Sequence, residues 1–227
     1  MPVFRQVQIV MMIFNDMSDI EKLIKYFELF PGVGARQARR FSYHILTLSQ
    51  AESNELGDLI KQIKSKMVEC ISCRRYFLCS KQNEYVCNIC SDNNRDRKKL
   101  LVVATDNDLN AIEKSKVFNG LYYVLGGTLP LLSETESKRL RINGLKKVIK
   151  ERCCENECIE IILGFPINPD GENTVRFVRS HINKAFLNNN KISITELGRG
   201  LSTGSEIEYA DSQTIKNALY NRFKVPE

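Results

Sequence analysis

Residues 70–90 read CISCRRYFLCSKQNEYVCNIC, and within them Cys70/Cys73 and Cys87/Cys90 make two C-x-x-C knuckles separated by thirteen residues. Each knuckle offers two thiolates from a tight turn, and two knuckles complete the tetrahedral sulfur set of a structural Zn²⁺ site. A closed set leaves no position for a reactive water, so its expected work is folding and not chemistry. Cys79 lies in the spacer and is expected to be a spare thiol, while Tyr76, Phe77 and Tyr85 are expected to pack the knuckle. Cys153, Cys154 and Cys158 form a second group, expected to be buried thiols and not a second metal site. With no convincing secretory leader, the eight cysteines read as metal ligands or free thiols, not a disulfide framework.

The knuckle divides two kinds of sequence. Before it the spacing is helical. Ser18 with Glu21 makes a capping box, and Ile20, Leu23, Ile24, Phe27 and Phe30 follow on one face. Pro31-Gly32-Val33-Gly34 breaks this helix, a second runs over 35–48, and a third over 52–68 carries Leu56, Leu59, Ile60 and Ile63 on one side. After the knuckle comes a polar linker, 91–99, and then the period changes. Short apolar runs at 100–103, 122–125, 159–163 and 192–197 alternate with helical stretches at 109–116, 138–152 and 174–187. Strands alternating with helices imply an α/β unit with a mainly parallel sheet. Residues 1–17, with Met11, Met12 and Met17, read as a leader of unknown role.

The chain has 227 residues, 43% hydrophobic and 26% charged, a globular composition that excludes disorder and collagen-like structure. No apolar run approaches a membrane span of about 20 residues, so the expectation is a soluble, cytoplasmic, nucleoid-associated protein. The net charge of +6 is uneven: residues 1–100 hold 16 basic and 11 acidic side chains, residues 101–227 hold 17 and 16. A cationic N-terminal portion favours a polyanionic partner.

Two further constellations carry chemistry. Gly32 and Gly34 permit a compact helical hairpin, with the second helix aiming unpaired N–H groups at an approaching phosphate. Arg36, Arg39 and Arg40 would flank that anion, which points to sequence-independent DNA binding. In the α/β unit, Asp106, Asp108, Glu113, Asp170 and Glu172 lie at or after strand ends, where carboxylates can hold Mg²⁺ for phosphoryl transfer. Dipole-favoured acids at helix N-termini are the plainer reading for Asp106, Asp108 and Asp170. The sequence holds no G-x-x-x-x-G-K-[ST] loop, which argues against ATP hydrolysis.

Taken in order, the hairpin, the knuckle and the α/β unit resemble the bacterial RecR recombination mediators over roughly residues 18–222. Residues 29–46 (LFPGVGARQARRFSYHIL) are similar to that family's helix–hairpin–helix, and 87–96 (CNICSDNNRD) to its second knuckle and linker. Residues 99–127 and Asp170-Gly171-Glu172 resemble its Toprim domain, and 198–211 (GRGLSTGSEIEYAD) its C-terminal signature. The resemblance implies an α/β protein with a helix–hairpin–helix over 18–69, a four-cysteine zinc finger over 70–98, a Toprim domain over 99–197 and a C-terminal segment over 198–227. It also implies a dimeric or tetrameric ring that clamps gapped or junction DNA and works with RecO and RecF without cleaving DNA. The basic residues Arg36, Arg39 and Arg40 would face the DNA, and the acidic Toprim face would meet partner proteins.

Departures from the family pattern bear on chemistry. Where the family reads V-V-E after the first Toprim strand, this chain has Val102-Val103-Ala104. The missing glutamate is the acid/base position of catalytic Toprim enzymes, so structural Zn²⁺ is expected and catalytic Mg²⁺ is not. The alternative reading is a Toprim-type, Mg²⁺-dependent nuclease. The loop after Gly126-Gly127 and the stretch 165–169 also differ, which weakens the expectation for partner binding on this face.

Overall fold

A computed structural model describes residues 17–79, 85–131, 138–155, 158–186, 191–198, 212 and 214–216. The leader and the C-terminal segment read from the sequence lie almost wholly outside these residues. The chain divides into two compact units, residues 1–66 and 67–227.

The first unit is helical: α1 (Asp19–Glu28), α2 (Ala35–Ile45) and α3 (Gln50–Lys66). Ser18 and Glu21 form the expected capping box at α1, with Ser18 N–H donating to Glu21 Oε2 at 2.9 Å. The turn before α2 uses a left-handed Gly32 at φ +76°, a conformation that glycine adopts without steric cost. Helices α1 and α2 pack through Phe27, whose ring meets Phe41 edge-on at 5.8 Å and Phe30 at 5.6 Å. On α2 only Ala38 and Ser42 are buried, and the Ser42 hydroxyl is satisfied by donating to Ala38 O at 3.0 Å. Helix α3 buries no residue.

The second unit opens with a hairpin that the periodicity did not reveal. Strands β1 (Met67–Glu69) and β2 (Tyr76–Leu78) pair antiparallel, with Val68 opposite Phe77. The third helix therefore stops before Val68, which the sequence pattern places on it. Strands this short leave no measurable period. A single helical turn, α4 (Asn88–Ser91), carries the second knuckle.

The sheet follows in the order β4-β3-β5-β6, every neighbour parallel. Its strands are β3 (Asp96–Val103), β4 (Gly120–Val124), β5 (Ile159–Gly164) and β6 (Ile192–Glu196), with α5 (Asp106–Ser115), α6 (Ile142–Glu155) and α7 (Pro169–Ala185) between them. Strand β3 begins four residues before the apolar run: Asp96–Lys99 extend it as a largely exposed polar stretch, so part of the expected linker is strand. Helix α7 also starts earlier than its apolar period, because Asn168 caps it and Pro169 occupies its first turn. Residues 100–103 and all of β4 are buried, the pattern of strands covered on both faces.

The chain runs from β3 to β4 and then back across β3 to β5, so the strand order reverses between β3 and β5. In open α/β sheets a crevice forms outside the carboxyl ends of strands at such a point. Gly171, in the first turn of α7, makes the approach after β5 possible: a Cβ there would lie 1.9 Å from Pro166 O. Replacing Gly171 with Ala should cost about 2–3 kcal/mol through forced backbone displacement. A Cβ on Gly57, in exposed α3, meets nothing within 4 Å, so Gly57→Ala should gain about 0.5–1 kcal/mol from helix propensity. Urea unfolding of the two variants checks both signs.

Candidate nucleic-acid interface and metal centre

The two knuckles bring Cys70, Cys73, Cys87 and Cys90 together as four buried residues whose sulfurs all lie within 4.8 Å of one another. Cys73 Sγ and Cys87 Sγ are 3.6 Å apart, too far for a disulfide bond of about 2 Å. A tetrahedral Zn²⁺ with bonds of about 2.3 Å would hold its sulfurs about 3.8 Å apart, so the geometry fits. Backbone bonds shape the turns: Arg74 N–H donates to Cys70 O at 2.9 Å, Cys70 N–H to Arg75 O at 2.8 Å, and Ile71 N–H to Tyr85 O at 2.9 Å. Arg74 itself is left-handed at φ +66°, a strained position for a non-glycine residue.

The four sulfurs lie close enough together to share one cation. Hydrogen bonds from Cys73, Cys87 and Cys90 hold the Cys70 thiol far below its ordinary range. The hydrogen bond to Cys70, then those to Cys87 and Cys90, push Cys73 far above it. One thiolate is thus favoured by its neighbours and makes further ionisation costly. A divalent ion at the centre would offset the repulsion of all four.

Among the described residues this is the sole group of three or more ligand-type side chains drawn together in this way. Cys79 lies outside it. Cys153 is half-buried and Cys154 and Cys158 are exposed, which corrects the expectation that all of these thiols are buried. Their polar, helix-end position keeps the last two at the surface. Of the aromatics, Phe77 is buried, whereas Tyr76 and Tyr85 are about half exposed.

The knuckle is fastened to the sheet. Cys73 O accepts the Val124 N–H at 2.8 Å along the outer edge of β4. Arg141, just before α6, pairs with Glu69 on β1 at 2.9 Å and donates from Nη1 to Arg74 O at 3.2 Å and Val124 O at 3.3 Å. Its guanidinium also sits 6.0 Å from the Tyr76 ring centre, and Arg74 pairs with the other oxygen of Glu69 at 3.0 Å. The cysteines, Phe77 and Ile89 accordingly belong to the same core cluster as Leu100, Tyr122 and Ile161.

Every carboxylate singled out by sequence has a partner. Asp106 Oδ1 accepts the Tyr76 N–H at 2.9 Å, tying α5 to β2. Asp108 caps α5, accepting from Thr105 N–H and Thr105 Oγ1, each at 2.8 Å. Glu113 forms a bidentate pair with Arg95, 3.0 Å for the Nη1–Oε2 contact. Burial opposes ionisation of Glu113, but the hydrogen bonds from Arg95 and the Arg95 charge outweigh it and keep its pKa low. Asp170 Oδ1 accepts the Leu131 N–H at 3.3 Å, and Glu172 lies 3.8 Å from Arg176. Ala104 is buried, and its carbonyl accepts both Gly126 N–H at 3.0 Å and Gly127 N–H at 2.8 Å. Ala104, the position the resemblance aligns with the family's glutamate, thus carries a methyl group in place of a carboxylate.

The hairpin offers a different surface. Gly34 is the N-cap of α2 with φ −86°, an extended backbone, and no side chain caps the helix. A Cβ on Gly34 would meet nothing within 4 Å; its smallness leaves the helix N-terminus open from outside and relieves no internal strain. Arg36, Arg39 and Arg40 are exposed and form no ion pair among the described residues.

Comparison with known proteins agrees with this geometry. Residues 20–64 match the family model described as RecR, helix-hairpin-helix, residues 98–197 that of the Toprim domain, and residues 200–222 that of RecR, C-terminal. The chain is 32% identical over 205 residues to the "Recombination protein RecR" of Streptococcus thermophilus, covering 90% of this chain and 96% of that protein. It is 35% identical over 208 residues to that of Endomicrobium trichonymphae, covering 92% and 98%.

Two outcomes check the site chemistry. Replacing Arg141 with Met removes the bridge to Glu69 and two carbonyls, and urea unfolding should show a loss of about 2–3 kcal/mol. Because Glu113 has a lowered folded-state pKa, its contribution is complete above the unfolded carboxylate range and fades as pH falls through the folded value. Glu113→Gln should therefore lower stability at neutral pH and flatten its acid-side decline, measured as unfolding midpoint against pH.

Proposed function

The chain belongs to the RecR family, and from that premise we propose that it is a zinc-stabilised, oligomeric DNA clamp that mediates recombinational repair without cleaving DNA. The observation that carries the reading is the α2 surface: an uncapped helix N-terminus beside three arginines without ionic partners among the described residues, with no acidic residue on the helix. Phosphates accept from the free N–H groups and the arginines neutralise their neighbours. Neither contact reads a base, so binding through them is independent of sequence.

Cys70, Cys73, Cys87 and Cys90 would hold one Zn²⁺, which supplies cohesion to the loop turns and no reactive position. Mg²⁺ chemistry has no support: the position after β3 is Ala104, Asp106, Asp108, Glu113 and Asp170 are each engaged in a structural hydrogen bond, and Glu172 lies 3.8 Å from Arg176. These residues hold the Toprim surface in shape, and by family membership that surface would meet RecO-like and RecF-like partners. Oligomerisation is supported by α3, whose Leu56, Leu59, Ile60 and Ile63 form one stripe at 39–63% exposure. Among the described residues the three helices of this unit bury only Ala38 and Ser42, so a second copy of the chain is the proposed cover for the stripe.

Replacing Arg36, Arg39 and Arg40 together with Ala should weaken binding to gapped DNA of any sequence and lower the slope of log affinity against log salt by about 2–3. Unchanged affinity would refute the role given to α2, and strand scission requiring Mg²⁺ in the same samples would refute the non-enzymatic assignment. Metal analysis should return one Zn²⁺ per chain, lost in Cys73→Ala together with part of the thermal stability.

A further inference from the structure

Helix α2 has two faces separated by its 100° step per residue. Ala38 and Ser42 are buried and Ile45 half-buried on one side. On the opposite side Arg36, Arg39, Arg40 and Tyr43 share a stripe at i, i+3, i+4 and i+7 spacing. Tyr43 therefore stands among the arginines and points away from the α1–α2 contact. Its side chain is 58% exposed and makes no hydrogen bond or ring contact among the described residues. Beside it lies an open groove of about 600 Å³ lined by Arg39, Arg40, Phe41, Tyr43, His44 and Thr47.

Phe41 differs, because its ring is held edge-on against Phe27 while 44% of the residue stays exposed. The groove thus has one anchored aromatic wall, one unoccupied aromatic ring and a cationic rim.

We propose that Tyr43, in this groove, stacks on an unpaired nucleobase, making α2 a reader of single-stranded DNA as well as of phosphate. The inference rests on the DNA-clamp reading above and deepens it. A cationic track that also carries a solvent-facing aromatic is the pairing that binds single strands, because every base has a π-face and duplex bases are already stacked. The charge argues against a second copy as the occupant. A two-fold contact places the same patch on both partners, so it would set Arg36, Arg39 and Arg40 of the two copies against one another with no acidic residue on either helix. The apolar stripe of α3 carries no such conflict.

The test uses the full-length protein and fluorescein-labelled oligothymidylate of about 20 nucleotides, the same strand with alternate bases removed, and a duplex of equal length. Anisotropy gives the affinities and light scattering the oligomeric state. The wild-type chain should bind the intact strand about tenfold more tightly than the partly abasic strand. Tyr43→Leu should bring the intact strand down to the abasic level while leaving duplex affinity and the salt slope unchanged, and Tyr43→Phe should restore the difference. Equal wild-type binding to intact and abasic strands, or a Tyr43→Leu variant that still distinguishes them, overturns base stacking and leaves the phosphate-binding role standing. Loss of the oligomer in Tyr43→Leu would instead place the ring between copies. Absence of binding to every probe would overturn both readings.

Discussion

Arg141 ties the knuckle hairpin of the larger unit to its sheet. Its guanidinium spans Glu69 on the first strand of the knuckle hairpin, the carbonyl of Arg74 in the first thiol turn and the carbonyl of Val124 on the sheet. The neighbouring backbone bond from Val124 N–H to Cys73 O sets the turn against β4, and Asp106 catches the returning strand at Tyr76. The knuckle is therefore built into the edge of the sheet, and its metal would stabilise more than a loop. A parallel sheet needs both faces covered; here it also has one edge closed by polar contacts that depend on the thiol turns being formed.

That arrangement explains what became of the carboxylates in a domain type that also serves enzymes. A catalytic acid must be close to its substrate and free to exchange a proton or hold a metal. Asp106, Asp108, Glu113 and Asp170 accept hydrogen bonds from named donors within the fold, and the position just after β3 is a buried alanine. The acids position strands and helices. The basic surface lies in the other unit, where the arginines of α2 have no ionic partner within the helix.

The hairpin unit follows the opposite pattern. Its helices bury little, and an aromatic ring, three guanidinium groups and a row of aliphatic side chains face outward. Features that cost stability in isolation are those through which a protein meets partners. On the proposed reading, the apolar stripe would meet a second copy of the chain and the cationic stripe a nucleic acid.

The sequence by itself determined the α/β alternation, the helical hairpin and which four cysteines come together, because each rests on local spacing: a period of two or 3.6, a glycine turn, or two residues between cysteines. It also located Arg36, Arg39 and Arg40. It did not show β1 and β2, whose three residues carry no period, nor the polar start of β3 and the capped start of α7, where pairing and capping override hydrophobicity. Tyr43 escaped notice although its signal, an aromatic three, four and seven residues beyond arginines, was present; only burial of the opposite face shows that it does not serve the core. The partners of Asp106, Glu113 and Arg141 were likewise decided by tertiary structure alone. Which donor meets which acceptor across 18, 30 or 67 residues depends on how elements pack, and no local pattern encodes it.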